Sequence, residues 1–218
     1  MSYQISIIIP VYNEEKNIYA LVEELFKYLD NNIIFEIIIV NDKSIDNTEK
    51  ILSNISENFN YIKIINNKLN YGQSFSIKNG INNSKFDTIL TIDGDGQNNP
   101  KNIPMMIEEY FSDDDLKLLG GIRKNRKDSL IKIISSKIAN FIRSLILNDN
   151  CVDTGCSLKI FHKNTFQLFP FFDGIHRFLP ALFKGYGKKT KFVNVDHRKR
   201  KYGKSSYGTL MRLIKGLR

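Results

Sequence analysis

Two aspartates with a single glycine between them, Asp93 and Asp95 in the segment TIDGDGQ, are the residues whose spacing most directly suggests chemistry. Glycine before and after Asp95 lets the chain turn tightly, so that both carboxylates can face one cation. Hard oxygen ligands of this kind suit Mg²⁺ or Mn²⁺, which in turn neutralise diphosphate oxygens. Gln97 adds a neutral oxygen two residues on. A solvated acidic turn has the same spacing. A calcium loop is disfavoured because no downstream glutamate completes its pattern. Two further polar clusters stand out. Asp42 follows an apolar run and can accept from a nucleobase N–H or a ribose hydroxyl; Asp46 and Thr48 after it read as caps for the next helix. The segment HRKRKYGKSSY, residues 197–207, is either a solvated basic loop or a lid whose Arg200 and Lys204 close on phosphates, with Gly203 as its hinge.

These clusters need elements to position them. Residues 5–11 and 35–40 are short, nearly continuous β-branched runs, as in strands buried on both faces of a parallel sheet. Between them Ile18, Leu21, Val22, Leu25, Phe26 and Leu29 recur at helical spacing, completing a βαβ unit. The pattern continues with helix 48–59, strand 61–65, helix 72–82 and strand 88–92. This alternation predicts an α/β, doubly wound, mostly parallel sheet flanked by helices in a single domain. In such sheets ligands gather at the carboxyl ends of strands, where Tyr12-Asn13-Glu14, Asn41-Asp42 and Asp93-Gly94-Asp95 all fall. Beyond Asp95 the alternation loosens into a helix at 100–111, a strand at 116–122 and an amphipathic helix at 130–147. That last helix reads either as core or as a face dipping into a membrane interface. The change of pattern divides the chain as 1–97 and 98–218, the latter ending in a basic C-terminal loop.

The totals set bounds. With 218 residues, 42% hydrophobic and 25% charged, the chain can bury a full core. Cys151 and Cys156 lack the companions of a zinc site or a disulfide framework and read as reduced thiols. The N-terminal segment reads as a first strand rather than a signal peptide, and no apolar run reaches the roughly 18 residues of a membrane span. The net charge of +9 is unevenly placed: residues 184–218 hold 12 Lys and Arg against one acid, leaving 20 bases and 22 acids in residues 1–183. Such a block suits anionic headgroups, phosphate-bearing substrates or nucleic acid.

Taken in order, IIIPVYNEE, VNDKSIDNT, NYGQS, TIDGDGQNNP, GCSLKIF, HRFLP and HRKRKYGKSSY resemble family 2 glycosyltransferases of the GT-A fold. More narrowly they resemble the dolichol-phosphate mannose synthases and undecaprenyl-phosphate sugar transferases. HRFLP and the H-x-x-R-x-x-G-K-S element carry that narrowing. The resemblance implies an inverting hexosyltransferase moving sugar from a GDP- or UDP-sugar to a polyprenyl phosphate. It implies that Pro10, Tyr12, Glu14 and Asp42 hold the nucleoside, and that Asp93, Asp95 and Gln97 hold Mg²⁺ or Mn²⁺ and the diphosphate. Arg123 matches a position near sugar and phosphate, Lys132 and Ser136 match positions that meet the acceptor phosphate, and Arg200 with Lys204 matches a loop closing on the donor. Asp95 and Arg123 are thereby catalytic candidates. So is Asp153, as general base toward a hydroxyl acceptor or as the brace of its own turn.

There are departures from the family pattern. Lys43 stands where glycine is usual, which puts the turn after Asp42 in question, and Lys132 stands where arginine is common. The expected partners are a nucleotide-sugar donor, a polyprenyl phosphate and an anionic membrane surface or membrane partner, without nucleic acid. The expected location is cytoplasmic, peripheral at the cytoplasmic face of the membrane. Three rivals compete with this reading. A family 2 enzyme acting on a sugar hydroxyl in surface polysaccharide synthesis shares the donor site but explains the H-x-x-R-x-x-G-K-S element less well. A nucleic-acid-binding module accounts for the basic tail and not for the aspartates. A nucleotidyltransferase would need a Gly-rich phosphate loop near the first strand.

Overall fold

The computed structural model describes residues 3–29, 32–124, 147, 149, 151–200 and 202. Strand β1 (Tyr3–Val11) leads through α1 (Ile18–Tyr28) to β2 (Ile33–Asn41), then α2 (Thr48–Asn58), β3 (Ile62–Asn66), α3 (Gln73–Asn82) and β4 (Thr88–Thr91). A 3₁₀ turn (Pro100–Asn102) enters α4 (Ile103–Phe111), where the sequence suggested one uninterrupted helix. Strand β5 (Leu116–Lys124) follows, and after residues outside the description come β6 (Lys159–His162), α5 (Lys163–Gln167), α6 (Ile175–Gly185) and β7 (Lys189–Asp196).

The seven strands of the described residues form one sheet in the order β3-β2-β1-β4-β6-β5-β7. Pairings among β1, β2, β3 and β4 are parallel, as is β5 with β7. Strand β6 alone runs antiparallel, wedged between β4 and β5, and sets Lys159 opposite Thr91. The isoleucine runs are explained by double coverage. Ile5, Ile7 and Ile9 of β1 pack with α1, α2 and α4 on one face, while Ile8 packs with α3, α5 and α6 on the other. Because β2 lies on one side of β1 and β4 on the other, the chain reverses its winding at the carboxyl end of β1. A crevice opens there.

The helix expected at 130–147 falls, apart from Leu147, outside the described residues, and so do Lys132, Ser136 and Lys204. Both cysteines are buried and unbridged, and burial pushes the Cys156 thiol up to about 11. No helix among the described residues is long and apolar enough to cross a membrane.

Candidate active site

The loops after β1 and β2 are stitched to each other. The Asn13 side chain accepts from the Ile45 amide at 2.9 Å, the Asn13 amide donates to Ser44 Oγ at 3.0 Å, and the Glu14 amide donates to Thr48 Oγ1 at 2.9 Å. Asp46 accepts from the Thr48 amide at 3.0 Å, one residue ahead of Asn47, which holds the N-cap position of α2 in place of the expected Asp46 or Thr48. Lys43 occupies φ +61°, the left-handed conformation that glycine takes at no steric cost. The turn therefore survives the loss of glycine, at the expense of local strain.

Asp42 is buried at the end of β2 and already well engaged. Its Oδ1 accepts from Asn67 Nδ2 at 2.8 Å and from the Tyr71 amide at 2.9 Å, and its Oδ2 accepts from the Gly72 amide at 2.7 Å. A carboxylate offers about four acceptor positions, so one remains for a ligand N–H or hydroxyl. Next in the chain, Gln73 reaches across the crevice and donates to Asp93 Oδ1 at 2.7 Å. The NYGQS segment thus links the base-binding aspartate to the first of the DGD pair.

Asp93 is pushed up to about 6 by burial and by the charge of Asp95, against the pull of Ser157, Lys159 and Arg123. A buried carboxylate destabilised by its neighbour's charge suits a divalent cation. Asp95 Oδ1 accepts from the Gln97 amide at 3.0 Å, and Gln97 Nε2 donates to the Arg198 carbonyl at 3.3 Å. The Gln97 amide oxygen thereby keeps its acceptor capacity for a metal. A Cβ at position 94 would lie 2.6 Å from Val11 Cγ1, so any larger residue between the two aspartates requires Val11 to shift.

Glu14 belongs to the same electrostatic unit. Burial raises its pKa, Asn17 and Arg200 oppose the rise, and Asp95 and Asp93 add to it. Arg200 Nη2 is paired with Glu14 Oε1, and Arg200 Nε donates to the Tyr202 carbonyl at 3.0 Å. The basic segment is also tied to the metal loop: Asn98 and His197 form an antiparallel bridge, and the Arg198 amide donates to the Gln97 carbonyl at 2.8 Å. Arg123, at the end of β5, is locked onto Asp153 and acts on Asp93 through its charge.

The structure thus brings together Glu14, Asp42, Asp93, Asp95, Gln97, Arg123, Asp153 and Arg200, with Pro10 and Tyr12 on the β1 side. Four residues without a role assigned from sequence join them. Gln73, Ser157, Lys159 and His176 line a cavity of about 10 Å³ beneath Asp93, room for a single water molecule. Lys159 is buried and its ammonium donates to the carbonyls of Cys156 and Thr154; burial lowers its pKa. His176 Nδ1 lies 2.8 Å from Ser74 Oγ, which accepts from the Gly174 amide. NYGQS, GCSLKIF and HRFLP contain all four residues, yet nothing in their spacing reveals that a sheet register will collect them.

A family model described as Glycosyl transferase family 2 matches residues 6–169. An undecaprenyl-phosphate 4-deoxy-4-formamido-L-arabinose transferase from Yersinia pestis (strain Pestoides F) is 32% identical over 216 residues, covering 97% of this chain and 64% of that protein. The counterpart from Yersinia pseudotuberculosis serotype O:3 (strain YPIII) matches to the same extent. The chain thus spans a little under two thirds of the length of these relatives. Among solved structures, glucosyl-3-phosphoglycerate synthase from Mycobacterium tuberculosis with Mn²⁺ and UDP-glucose superposes with a TM-score of 0.74 at 16% identity, over 99% of this chain and 78% of that one. The same synthase with Mn²⁺, UDP and phosphoglyceric acid gives a TM-score of 0.70 at 17% identity, over 91% and 72%. The sheet order, the crevice at its switch point and the family match agree: this chain belongs to glycosyl transferase family 2, on a GT-A fold.

Proposed function

We propose that the crevice binds a nucleoside-diphosphate sugar with Mg²⁺ or Mn²⁺ and transfers the sugar, with inversion, to a polyprenyl phosphate at a membrane surface. The observation that carries this reading is the pair Asp93 and Asp95, two carboxylates at the end of β4 whose mutual repulsion calls for a cation. Asp93, Asp95 and Gln97 would hold that cation, which supplies charge neutralisation for a departing nucleoside diphosphate. Asp42, with Pro10, Tyr12 and Glu14, would receive the nucleoside. Arg200 and Lys204 would close on the diphosphate, and Arg123, Lys132 and Ser136 would meet the acceptor phosphate. Residues 1–97 are then the donor half and 98–218 the acceptor half.

The names of the relatives support undecaprenyl phosphate as the acceptor class. A lipid phosphate is anionic near neutral pH and needs little proton abstraction, which fits a site whose best-placed base, Asp153, is bound up with Arg123. The corresponding location is peripheral, at the cytoplasmic face of a membrane. The test incubates the protein with Mn²⁺ or Mg²⁺, a panel of UDP- and GDP-sugars and a short polyprenyl phosphate. Glycolipid formation that is lost in a folded Asp95→Ala variant is the expected result. Donor hydrolysis without lipid product across the whole panel would replace the lipid acceptor with a sugar hydroxyl.

A further inference from the structure

Two loops put apolar side chains into solvent at the mouth of the crevice. Leu69 and Tyr71, ahead of α3, are 61% and 45% exposed; Phe171 and Phe172, ahead of α6, are 40% and 38% exposed. Lone exposed residues are ordinary, but these are joined. The Tyr71 ring lies 4.5 Å from Phe75, Phe75 lies 6.4 Å from Phe171, and Phe172 lies 5.7 Å from Phe178. The Gly174 amide fastens the second loop to Ser74 at 2.8 Å. Tyr71 and Gly72 also give Asp42 its backbone hydrogen bonds, so the aromatic surface is the rim of the site itself.

Its margins are basic. Lys78 Nζ stands 4.6 Å from the centre of the Phe171 ring, Lys68 is exposed beside Leu69, and Asp173 is the one acid in residues 67–72 and 167–174. Behind Phe171 is a cavity of about 140 Å³ with a mixed lining, in which Lys78, Asn82 and Gln167 stand beside Phe166, Phe169, Phe171 and Ile175. Aromatic rings settle at headgroup depth and ammonium groups pair with lipid phosphates, so the surface suits an anionic leaflet.

We propose that the Tyr71–Phe171–Phe172 surface docks this protein onto an anionic bilayer and holds the mouth of the crevice at headgroup depth. Its purpose rests on the lipid-phosphate reading above; the docking itself is measurable without it. The surface gives membrane contact an apolar component that salt does not screen.

The test uses the full chain and phosphatidylglycerol–phosphatidylcholine vesicles. The chain has no tryptophan, so Phe172→Trp places a single reporter on the surface. Its emission should shift to the blue on vesicle addition and be quenched by brominated lipid. Phe171→Ser/Phe172→Ser, compared at a temperature where circular dichroism shows both proteins folded, should weaken vesicle binding on the order of tenfold. It should slow transfer to vesicle-embedded polyprenyl phosphate and leave transfer to a short water-soluble one unchanged. Wild-type vesicle binding with an unshifted tryptophan would overturn the proposal. So would concentration-dependent self-association that the serine pair abolishes, since a second copy would then cover the surface. A blue shift and quenching without sugar transfer to either acceptor would sustain docking and remove the substrate reading instead.

Discussion

The guanidinium of Arg123 grips the carboxylate of Asp153 in parallel, Nε to Oδ2 at 2.8 Å and Nη2 to Oδ1 at 2.7 Å, while the Arg123 amide donates to Oδ2 at 3.1 Å. The pair is almost wholly shielded, with side-chain exposures of 14% and 6%. Both carboxylate oxygens are taken up by the guanidinium and the Arg123 amide, a charge-assisted bidentate pair. Asp153 therefore orients Arg123 toward the crevice, and this relationship bears on acceptor choice: a base here would be needed for a hydroxyl and not for a phosphate.

Asp153→Asn should consequently act on stability and on Arg123 rather than on proton transfer. Leaving a shielded guanidinium half-paired costs about 3 kcal/mol. Urea denaturation should show that loss, and the pH profile of kcat/KM should keep the same limbs as the wild type. Gly155→Ala tests the same contact from the other side, because a Cβ there would lie 2.8 Å from Arg123 Nη2. The guanidinium has to give way, and KM for the acceptor should rise with little change in fold. Disappearance of the acidic limb of the profile in Asp153→Asn would restore Asp153 as a base.

Asp93 gives a prediction with the opposite sign for stability. Its folded pKa is raised from 3.8 to about 6, so the ionised form is disfavoured in the folded chain. Its contribution is therefore unfavourable above the folded value and is relieved as pH falls through about 6 toward 3.8. The gap corresponds to roughly 3 kcal/mol at neutral pH, shared with Asp95. Asp93→Asn keeps an acceptor for Gln73 and removes the repulsion. The metal-free variant should thus melt several degrees above metal-free wild type at pH 7. Wild type should gain melting temperature on addition of Mn²⁺, and the variant should not. Equal Mn²⁺ stabilisation of both proteins would place the cation elsewhere.

His176 sets the acid limb of stability. Burial, with Arg177 and Lys159 close by, drives its pKa from 6.5 to about 3, so it stays neutral in the folded chain and charges only on unfolding. Between about 6.5 and about 3 the unfolded state binds the extra proton, and stability is lost as pH falls through that window. The loss approaches about 1.4 kcal/mol per pH unit for one proton. In His176→Gln the dependence of unfolding free energy on pH should flatten by about one proton across pH 4–6 relative to wild type. The difference between the two proteins isolates His176, since Asp93 titrates in both. Parallel curves would mean that the imidazole is charged in the folded state.

The first half of the fold was legible because its strands are buried on both faces and so appear as unbroken Ile and Val runs, with helices at a clean 3.6 period between them. The second half hid for identifiable reasons. Strand β6 has four residues and begins with a buried lysine; β7 is a half-exposed edge strand; α6 carries Pro180 in its interior. Four residues are too few to show a period, and although Ile175, Leu179 and Phe183 recur at helical spacing in α6, an internal proline argues against a helix there. The site divides the same way. Asp42, Asp93 and Asp95 could be found because they end strands that the pattern locates. Lys159 reaches Asp93 only because β6 enters antiparallel and sets it opposite Thr91, a register set by long-range pairing rather than local spacing.

Lys43 is the one departure from the family pattern that the structure turns into a number. The residue sits at φ +61°, in a turn held by Ser44 and Ile45 through their contacts with Asn13. Left-handed backbone costs an L-residue about 1–2 kcal/mol, and glycine gives back about 0.5–1 kcal/mol through unfolded-chain entropy. Lys43→Gly should therefore stabilise the protein by about 0.5–1 kcal/mol in urea denaturation. Because the turn is already formed, donor KM should stay within about twofold of wild type, a change worth less than about 0.5 kcal/mol. A destabilised Lys43→Gly would mean that the lysine side chain contributes a contact worth more than its backbone strain. A large fall in donor KM would mean that Lys43 had been holding the Asp42 loop away from its ligand.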